Sequence, residues 1–262
     1  MKLAITGKGG VGKTTLTALL AQTYAGAGPE VLAVDADPSP CLAGALGFPA
    51  ELRARLHPIA EMDALIEERT GAKPGTVGGF FTLNPRVDDL PERFSVAHRG
   101  VRLLEMGAVS LGGSGCICPE SALLKTLFTH LLFRAGEVVL FDMYAGVEHL
   151  GRATVDFVDA MIVVVEPTRR SLGTAAQIKK LAEDIGLKRL FLVGNKVRNA
   201  EEVAFLAAET PGLPVLGWLP ADPGVQEADR LGLAVWDYVP GLREAAKEIG
   251  ESLFRRITSK NY

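Results

Sequence analysis

A glycine-rich segment near the N-terminus constrains this chain more than any other feature. Residues 6–15 read Thr-Gly-Lys-Gly-Gly-Val-Gly-Lys-Thr-Thr and match the phosphate-binding pattern G-x-x-x-x-G-K-[ST]. A short apolar run precedes the segment, and a helix-forming run from Lys13 to about Tyr24 follows it. In that context the backbone N–H groups of the loop and the helix N-terminus together bind phosphate. The segment therefore predicts a nucleoside triphosphate site.

The residue types within this loop predict separate roles. Lys13 should reach the β- and γ-phosphates, and the Thr14 hydroxyl should coordinate Mg²⁺. The residues expected to surround the nucleotide phosphates are Gly9, Gly10, Val11, Gly12, Lys13, Thr14 and Thr15.

Strand-like runs alternate with helical runs along the whole chain. Several strand-like runs are unbroken stretches of Val, Ile and Leu, as expected for parallel strands that are buried on both faces. The pattern predicts a single α/β domain over residues 1–262, a doubly wound, mostly parallel sheet flanked by helices, with ligands at the carboxyl ends of the strands. Strands are predicted at Leu3–Thr6, Val31–Asp35, Phe80–Leu83, Val101–Glu105, Val138–Phe141, Met161–Val165, Leu190–Gly194 and Val215–Leu219.

Charge and hydropathy restrict the partners and the location of the chain. The formal net charge of −3 argues against nucleic-acid binding, which usually leaves a basic footprint. The longest apolar run has the length of a strand, so membrane insertion is not expected. Three cysteines do not make a disulfide framework, which favours a cytoplasmic location.

Carboxylates follow two of the predicted strands. Asp35 ends the second predicted strand and Asp37 follows it, where one carboxylate would orient Mg²⁺ through water and the other would position the attacking water. The alternative for this Asp-x-Asp-Pro is a turn capped by its own carboxylates. Asp142 ends the run Val138–Phe141 and is expected to hold Mg²⁺ through water. These residues predict the metal side of an ATPase site.

The sequence Asn195-Lys196-Val197-Arg198 bears on the choice of base. Guanine-binding proteins place a carboxylate where Arg198 stands, because a carboxylate accepts the guanine N1–H and N2–H. Arginine has only donors and cannot accept these bonds. The site is therefore predicted to bind ATP, with Asn195 contacting the adenine.

Two of the three cysteines form the Cys-x-Cys of Cys116 and Cys118, within a glycine-rich stretch that Pro119 ends. Proline suits the first turn of a helix, and two thiolates suit a soft metal such as Zn²⁺ or Ni²⁺. One pair supplies only half of a four-ligand site, which two chains related by a twofold axis would complete. The alternative is a pair of small residues packed in a tight loop, and Cys41 is expected to be a small buried hydrophobe.

The sequence of residues 8–15 resembles the deviant Walker A motif of the dimeric ATPases that include the nitrogenase iron protein and MinD-like proteins. The resemblance implies that Lys8 reaches across a dimer interface to the partner's phosphates. It also implies that Asp37 positions water and that Asp35 lies nearer the metal. A solvated loop lysine is the alternative for Lys8.

The combination resembles more closely the CooC-type ATPases, which assist nickel insertion into carbon monoxide dehydrogenase and acetyl-CoA synthase. The matching residues include the phosphate loop, Asp35-Ala36-Asp37-Pro38, the cysteine pair, and Ala145 to Leu150. The resemblance implies an ATP-hydrolysing homodimer that holds Ni²⁺, or Zn²⁺, on Cys116 and Cys118 and delivers nickel to one of those client enzymes.

Two other functions remain open at this stage. A MinD/ParA-like positioning ATPase would act through reversible membrane or partner association, and the basic, amphipathic C-terminal helix would serve as its anchor. An ATP-gated electron donor is disfavoured, because His149 stands where the nitrogenase iron protein has its second cluster cysteine.

Overall fold

The structure, a computed structural model, describes residues 1–76, 80–107, 118–144 and 157–258. Its centre is an eight-stranded sheet in the order β3-β4-β2-β5-β1-β6-β7-β8. All neighbouring strands are parallel except β3, which pairs antiparallel with β4 at one edge. The strands are β1 Lys2–Thr6, β2 Val31–Ala36, β3 Val96–His98, β4 Val101–Glu105, β5 Val138–Met143, β6 Ala160–Val165, β7 Leu190–Val197 and β8 Val215–Pro220.

Helices lie between most of the strands along the chain, and a turn joins β3 to β4. The longer helices are α1 Lys13–Gly26, α4 Asp63–Thr70, α6 Pro119–Phe133, α7 Arg169–Ile185, α8 Ala200–Glu209, α9 Gly224–Leu231 and α11 Pro240–Thr258. The shorter ones are α2 Leu42–Ala45, α3 Ala50–Arg53, α5 Leu90–Phe94 and α10 Val235–Tyr238, with a 3₁₀ turn at Ile59–Glu61.

The sheet is buried on both faces, as the unbroken apolar runs predict. Leu3 and Ile5 of β1 point into a core that includes residues of α1 and α11, whereas Ala4 points into a second core with α6 and α7. Alternate residues of a strand face opposite sides, so one strand supplies both cores. The predicted doubly wound α/β architecture is confirmed.

The structure differs from the predicted strands at two places. The predicted strand Phe80–Leu83 is not a strand, and the Phe80 side chain is fully exposed. The short edge strand β3 was not predicted. Three residues carry too little pattern to be separated from a loop, and β3 is defined by its pairing with β4.

The topology brings several loops to one end of the sheet, where the carboxyl ends of the parallel strands lie. The phosphate loop follows β1, Asp35 lies near the end of β2, and Asp142 lies near the end of β5. Strand β4 ends at this end of the sheet, and α6 finishes shortly before β5 begins at the opposite end. The N-terminus of α6 therefore lies toward the carboxyl ends of the strands. Cys118, at the N-terminus of α6, and the phosphate loop therefore lie toward the same end of the sheet.

Within the described ranges, none of the helices is long and apolar enough to span a membrane. Helix α11 buries Leu242, Ala246, Ile249, Gly250 and Leu253 against the α1 side of the sheet. The C-terminal helix is thus docked on the domain.

Candidate functional site

Neighbouring atoms leave no room for a side chain at two glycine positions of the phosphate loop. A Cβ on Gly7 would lie 2.4 Å from the carbonyl oxygen of Val164 in β6. A Cβ on Gly12 would lie 2.0 Å from Nδ2 of Asn195, just after the middle of β7. Both glycines also have positive φ, 146° and 96°, which side chains rarely adopt. The loop is held close to β6 and β7, and only glycine fits at these contacts.

The two lysines of the loop have opposite environments. Lys13, the first residue of α1, is buried, and its Nζ lies 3.4 Å from the carbonyl oxygen of Lys8, to which it donates. Lys8 itself is exposed at the outer side of the loop, with Gly9 and Gly10. Lys13 is thus placed inside the loop, where phosphate would bind. The role of Lys8 across a dimer interface stays a prediction.

The environment of Asp142 suits a bound cation. The side chain is buried, and neither carboxylate oxygen has a hydrogen-bond partner of ordinary geometry among the described residues. Burial raises the pKa of Asp142 to about 7, while the nearby Thr14 hydroxyl and Lys13 ammonium oppose the rise. An unpaired buried carboxylate is costly unless a positive charge compensates it. Asp142 and Thr14 therefore fit the Mg²⁺ that the motif implies, although their roles stay predictions.

Asp35 organises the loop that follows β2. It is fully buried, and its two carboxylate oxygens accept N–H bonds from Asp37 (3.1 Å), Cys41 (2.9 Å) and Leu42 (2.9 Å). Burial raises the pKa of Asp35, and these three backbone donors lower it. Asp35 therefore shapes the loop from within the chain, and its predicted contact with Mg²⁺ is untested.

Asp37 is half-buried, and its Oδ1 accepts the N–H of Ser39 at 2.9 Å. The self-capped turn weighed for Asp-x-Asp-Pro is present. It leaves the second oxygen, Oδ2, for the predicted contact with the attacking water, which stays a prediction.

Asn195 is buried against the phosphate loop. Its Nδ2 donates to the Val11 carbonyl oxygen at 2.7 Å, and its Oδ1 accepts the N–H of Lys196 at 2.9 Å. The predicted contact between Asn195 and adenine is untested, and the structure adds a contact with the phosphate loop. This contact cannot be predicted from the sequence pattern, because Asn195 and Val11 are 184 residues apart.

The cysteine pair lies partly within the described residues. Cys118 is the N-cap of α6 and Pro119 is the first helical residue, as predicted. The Cys118 thiol is partly exposed and donates to the Ser121 hydroxyl at 3.0 Å. Cys116 and the segment 145–156, which contains His149, lie outside the described residues. The expectation for Cys41 is wrong, because this cysteine is exposed, and its thiol donates to the carbonyl oxygen of Ser39.

Among the described residues, no group of three His, Cys, Asp or Glu side chains is placed to hold a metal ion. With Cys116 outside that set, the metal site of Cys116 and Cys118 stays a prediction.

The family to which the chain belongs follows from its sequence and agrees with the geometry above. Residues 2–235 match the CbiA family, described as the CobQ/CobB/MinD/ParA nucleotide binding domain. The chain belongs to this family of P-loop nucleotide-binding ATPases.

Several relatives match nearly the full length of the chain, including two that share almost half of its residues. The carbon monoxide dehydrogenase accessory protein CooC of Rhodospirillum rubrum is 47% identical over 257 residues, which cover 98% of this chain and 97% of that protein. An uncharacterised ATP-binding protein of Methanocaldococcus jannaschii is 46% identical over 260 residues, with coverage of 98% and 97%. The predicted resemblance to the CooC-type ATPases is confirmed.

Solved structures of the same class share the fold. MinD of Pyrococcus horikoshii, complexed with Mg-ADP, superposes with a TM-score of 0.67 at 20% identity, covering 98% of this chain and 96% of that one. A ParA family ATPase of Chlorobium tepidum superposes with a TM-score of 0.67 at 17% identity, covering 95% and 97%. These likenesses support the P-loop fold.

Proposed function

We propose that this chain is an ATP-dependent metallochaperone that assists nickel insertion into carbon monoxide dehydrogenase or acetyl-CoA synthase. The observation that carries the proposal is the 47% identity, over nearly the full length, to a carbon monoxide dehydrogenase accessory protein. The cysteine pair at the start of α6 supplies soft ligands for the cargo metal.

The nucleotide half of the proposal uses the phosphate loop. Lys13 contacts the β- and γ-phosphates, and the Thr14 hydroxyl, with Asp142 acting through water, would hold an Mg²⁺ that neutralises charge at the phosphates. Asp37 orients a water whose oxygen bonds to the γ-phosphorus while the bond to the bridging β–γ oxygen breaks. The products are ADP and inorganic phosphate.

The metal half of the proposal requires two chains. Cys116 and Cys118 of each chain supply four thiolates around one Ni²⁺, or Zn²⁺, on the twofold axis. Lys8 of each chain reaches the partner's phosphates, in the manner of an arginine finger. Two features support this arrangement. Lys8 is exposed, and Cys118 is the N-cap of α6, whose N-terminus lies toward the same end of the sheet as the phosphate loop.

A second candidate function is a MinD/ParA-like positioning ATPase. Helix α11 exposes Phe254 beside Arg255 and Arg256, a combination that can contact an anionic membrane surface. The buried opposite face of α11 favours a docked helix. ATP-dependent binding to anionic liposomes that Phe254→Ser abolishes would favour this second function over the first.

The test of the proposed function is activation of a client enzyme. Carbon monoxide dehydrogenase produced without nickel is mixed with the full chain, Ni²⁺ at a limiting concentration, and Mg²⁺·ATP. Activation should depend on ATP and should fall at least about tenfold with Cys118→Ser, because two of four thiolates are lost from the dimer. Cys41→Ser is the matched control and should retain activation, because Cys41 is not one of the proposed metal ligands. Equal activation by the Cys118 variant and the wild type would contradict the proposal.

A further inference from the structure

A bulge in β7 places two side chains on the phosphate loop. The register between β7 and β8 shifts between Gly194 and Val197, so Asn195 and Lys196 lie in an irregular part of the strand. Lys196 has φ of 57°, the left-handed region that residues other than glycine seldom occupy. Bulges of this kind redirect side chains beside functional sites, and strained backbone persists where its surroundings stabilise it.

The Lys196 ammonium connects three segments that are far apart in sequence. Its Nζ donates to the carbonyl oxygen of Gly10 at 2.8 Å and forms an ion pair with Glu166, which follows β6. The backbone N–H of Glu166 donates to the Ser171 hydroxyl at 3.0 Å, in the first turn of α7. The phosphate loop is therefore tied through Lys196 to the ends of β6 and β7.

These contacts act on the outward side of the phosphate loop. A loop that directs its N–H groups at a phosphate directs carbonyl groups away from it, and those carbonyls need donors. Here Lys196 is the donor for Gly10, while Asn195 is the donor for Val11. Glu166 holds the ammonium in place and balances its charge, and the side chain of Lys196 is half-exposed.

We propose that Lys196, oriented by Glu166, is a positioning residue that keeps the phosphate loop in the shape that accepts a nucleotide. It acts on the loop through the Gly10 carbonyl and touches neither the phosphates nor the attacking water. This inference rests on the proposed ATP-binding site. It adds a structural connection between the phosphate loop and the segment Asn195-Lys196-Val197-Arg198, which the sequence links only to the choice of base.

The test separates the ammonium from the backbone turn. Lys196→Gly keeps the positive φ without strain and removes only the side chain. Affinity for ADP is measured, because ADP binding to one chain does not depend on Lys8 of a partner. Lys196→Gly should bind ADP about tenfold more weakly, a loss of about 1.4 kcal/mol, with an unchanged midpoint of thermal unfolding without nucleotide. Lys196→Arg should recover affinity to within about threefold, since its guanidinium can still donate to Gly10 and pair with Glu166.

A double-mutant cycle tests the role of Glu166. Glu166→Gln should weaken ADP binding about threefold, and the double variant with Lys196→Gly should match Lys196→Gly alone, because Glu166 acts through Lys196. In steady-state hydrolysis, Lys196→Gly should raise KM more than it lowers kcat. Lys180→Ala, on an exposed face of α7, removes the same charge and should leave ADP affinity unchanged.

The results that overturn the inference are specific. Wild-type affinity in Lys196→Gly would show that the ammonium does not position the loop, and additive losses in the double variant would show that Glu166 acts independently. Failure of the wild-type chain to bind ADP would instead refute the proposed nucleotide site. The outcomes of the two proposals are therefore distinguishable.

Discussion

Asp142 lies near the end of β5, buried and without a hydrogen-bond partner of ordinary geometry for either oxygen among the described residues. Burial raises its pKa to about 7 from an ordinary value of 3.8. As the pH rises between these values, the unfolded chain releases its proton first, so the folded state loses stability across this interval. A bound cation would offset this loss of stability by compensating the charge of the carboxylate.

Asp142→Asn should therefore stabilise the nucleotide-free protein at pH 8, by up to about 3 kcal/mol, because the amide carries no charge to be desolvated. The gain should shrink toward zero as the pH falls below 3.8, because the carboxyl group is then increasingly protonated in both the folded and the unfolded state. Urea unfolding at pH 5 and pH 8 measures it, and the same variant should lose the Mg²⁺-dependent part of its ATP affinity. A loss of stability at pH 8 would show that the carboxylate is already compensated within the chain.

The glycine pattern predicted the phosphate loop but not the reasons for each glycine. Gly7 is required by the backbone of β6 at Val164, and Gly12 by the side chain of Asn195. Both contacts join residues more than 150 positions apart, so they depend on strand order. A motif gives the local conformation, whereas the neighbours that enforce it come from the fold.

Short runs of residues did not reliably predict strands, because their burial depends on the rest of the fold. The run Val101–Glu105 was predicted with the bounds that β4 has, and its apolar residues Val101, Leu103 and Leu104 are fully buried. The run Phe80–Leu83 is similarly short and apolar, yet Phe80 and Leu83 are exposed. Short apolar runs do not show what they pack against, so composition alone could not separate these two cases.

Helix α11 presents a matched pair of neighbouring residues. Leu253 is fully buried in the core beside α1, whereas the Phe254 side chain is 56% exposed. Leu253→Ala should lower the free energy of unfolding by about 2–5 kcal/mol, because it leaves a cavity in the core. Phe254→Ala should change it by less than about 1 kcal/mol. Denaturant unfolding compares the two, and equal small effects would show that α11 is not held on the domain in solution.

The proposed function involves two sites that one copy of the chain does not complete. In that proposal the cysteine pair would supply two of the four ligands that a soft metal takes, and Lys8 lies exposed on the phosphate loop. In the proposed dimer a single twofold axis completes both sites, which couples closure around ATP to closure around the metal. The family and the P-loop could be predicted from the sequence, whereas the assembly rests on Cys116, outside the described residues.

Nickel stoichiometry measured together with molecular mass tests the shared metal site most directly. The full chain is loaded with Ni²⁺, separated by size exclusion with light scattering, and analysed for metal in each peak, with and without Mg²⁺·ATP. The account predicts a dimer that holds about half a nickel per chain, lost in Cys116→Ser and in Cys118→Ser and kept in Cys41→Ser. A full nickel on a monomer, or nickel that survives either substitution in the pair, would contradict a four-thiolate site formed by two chains.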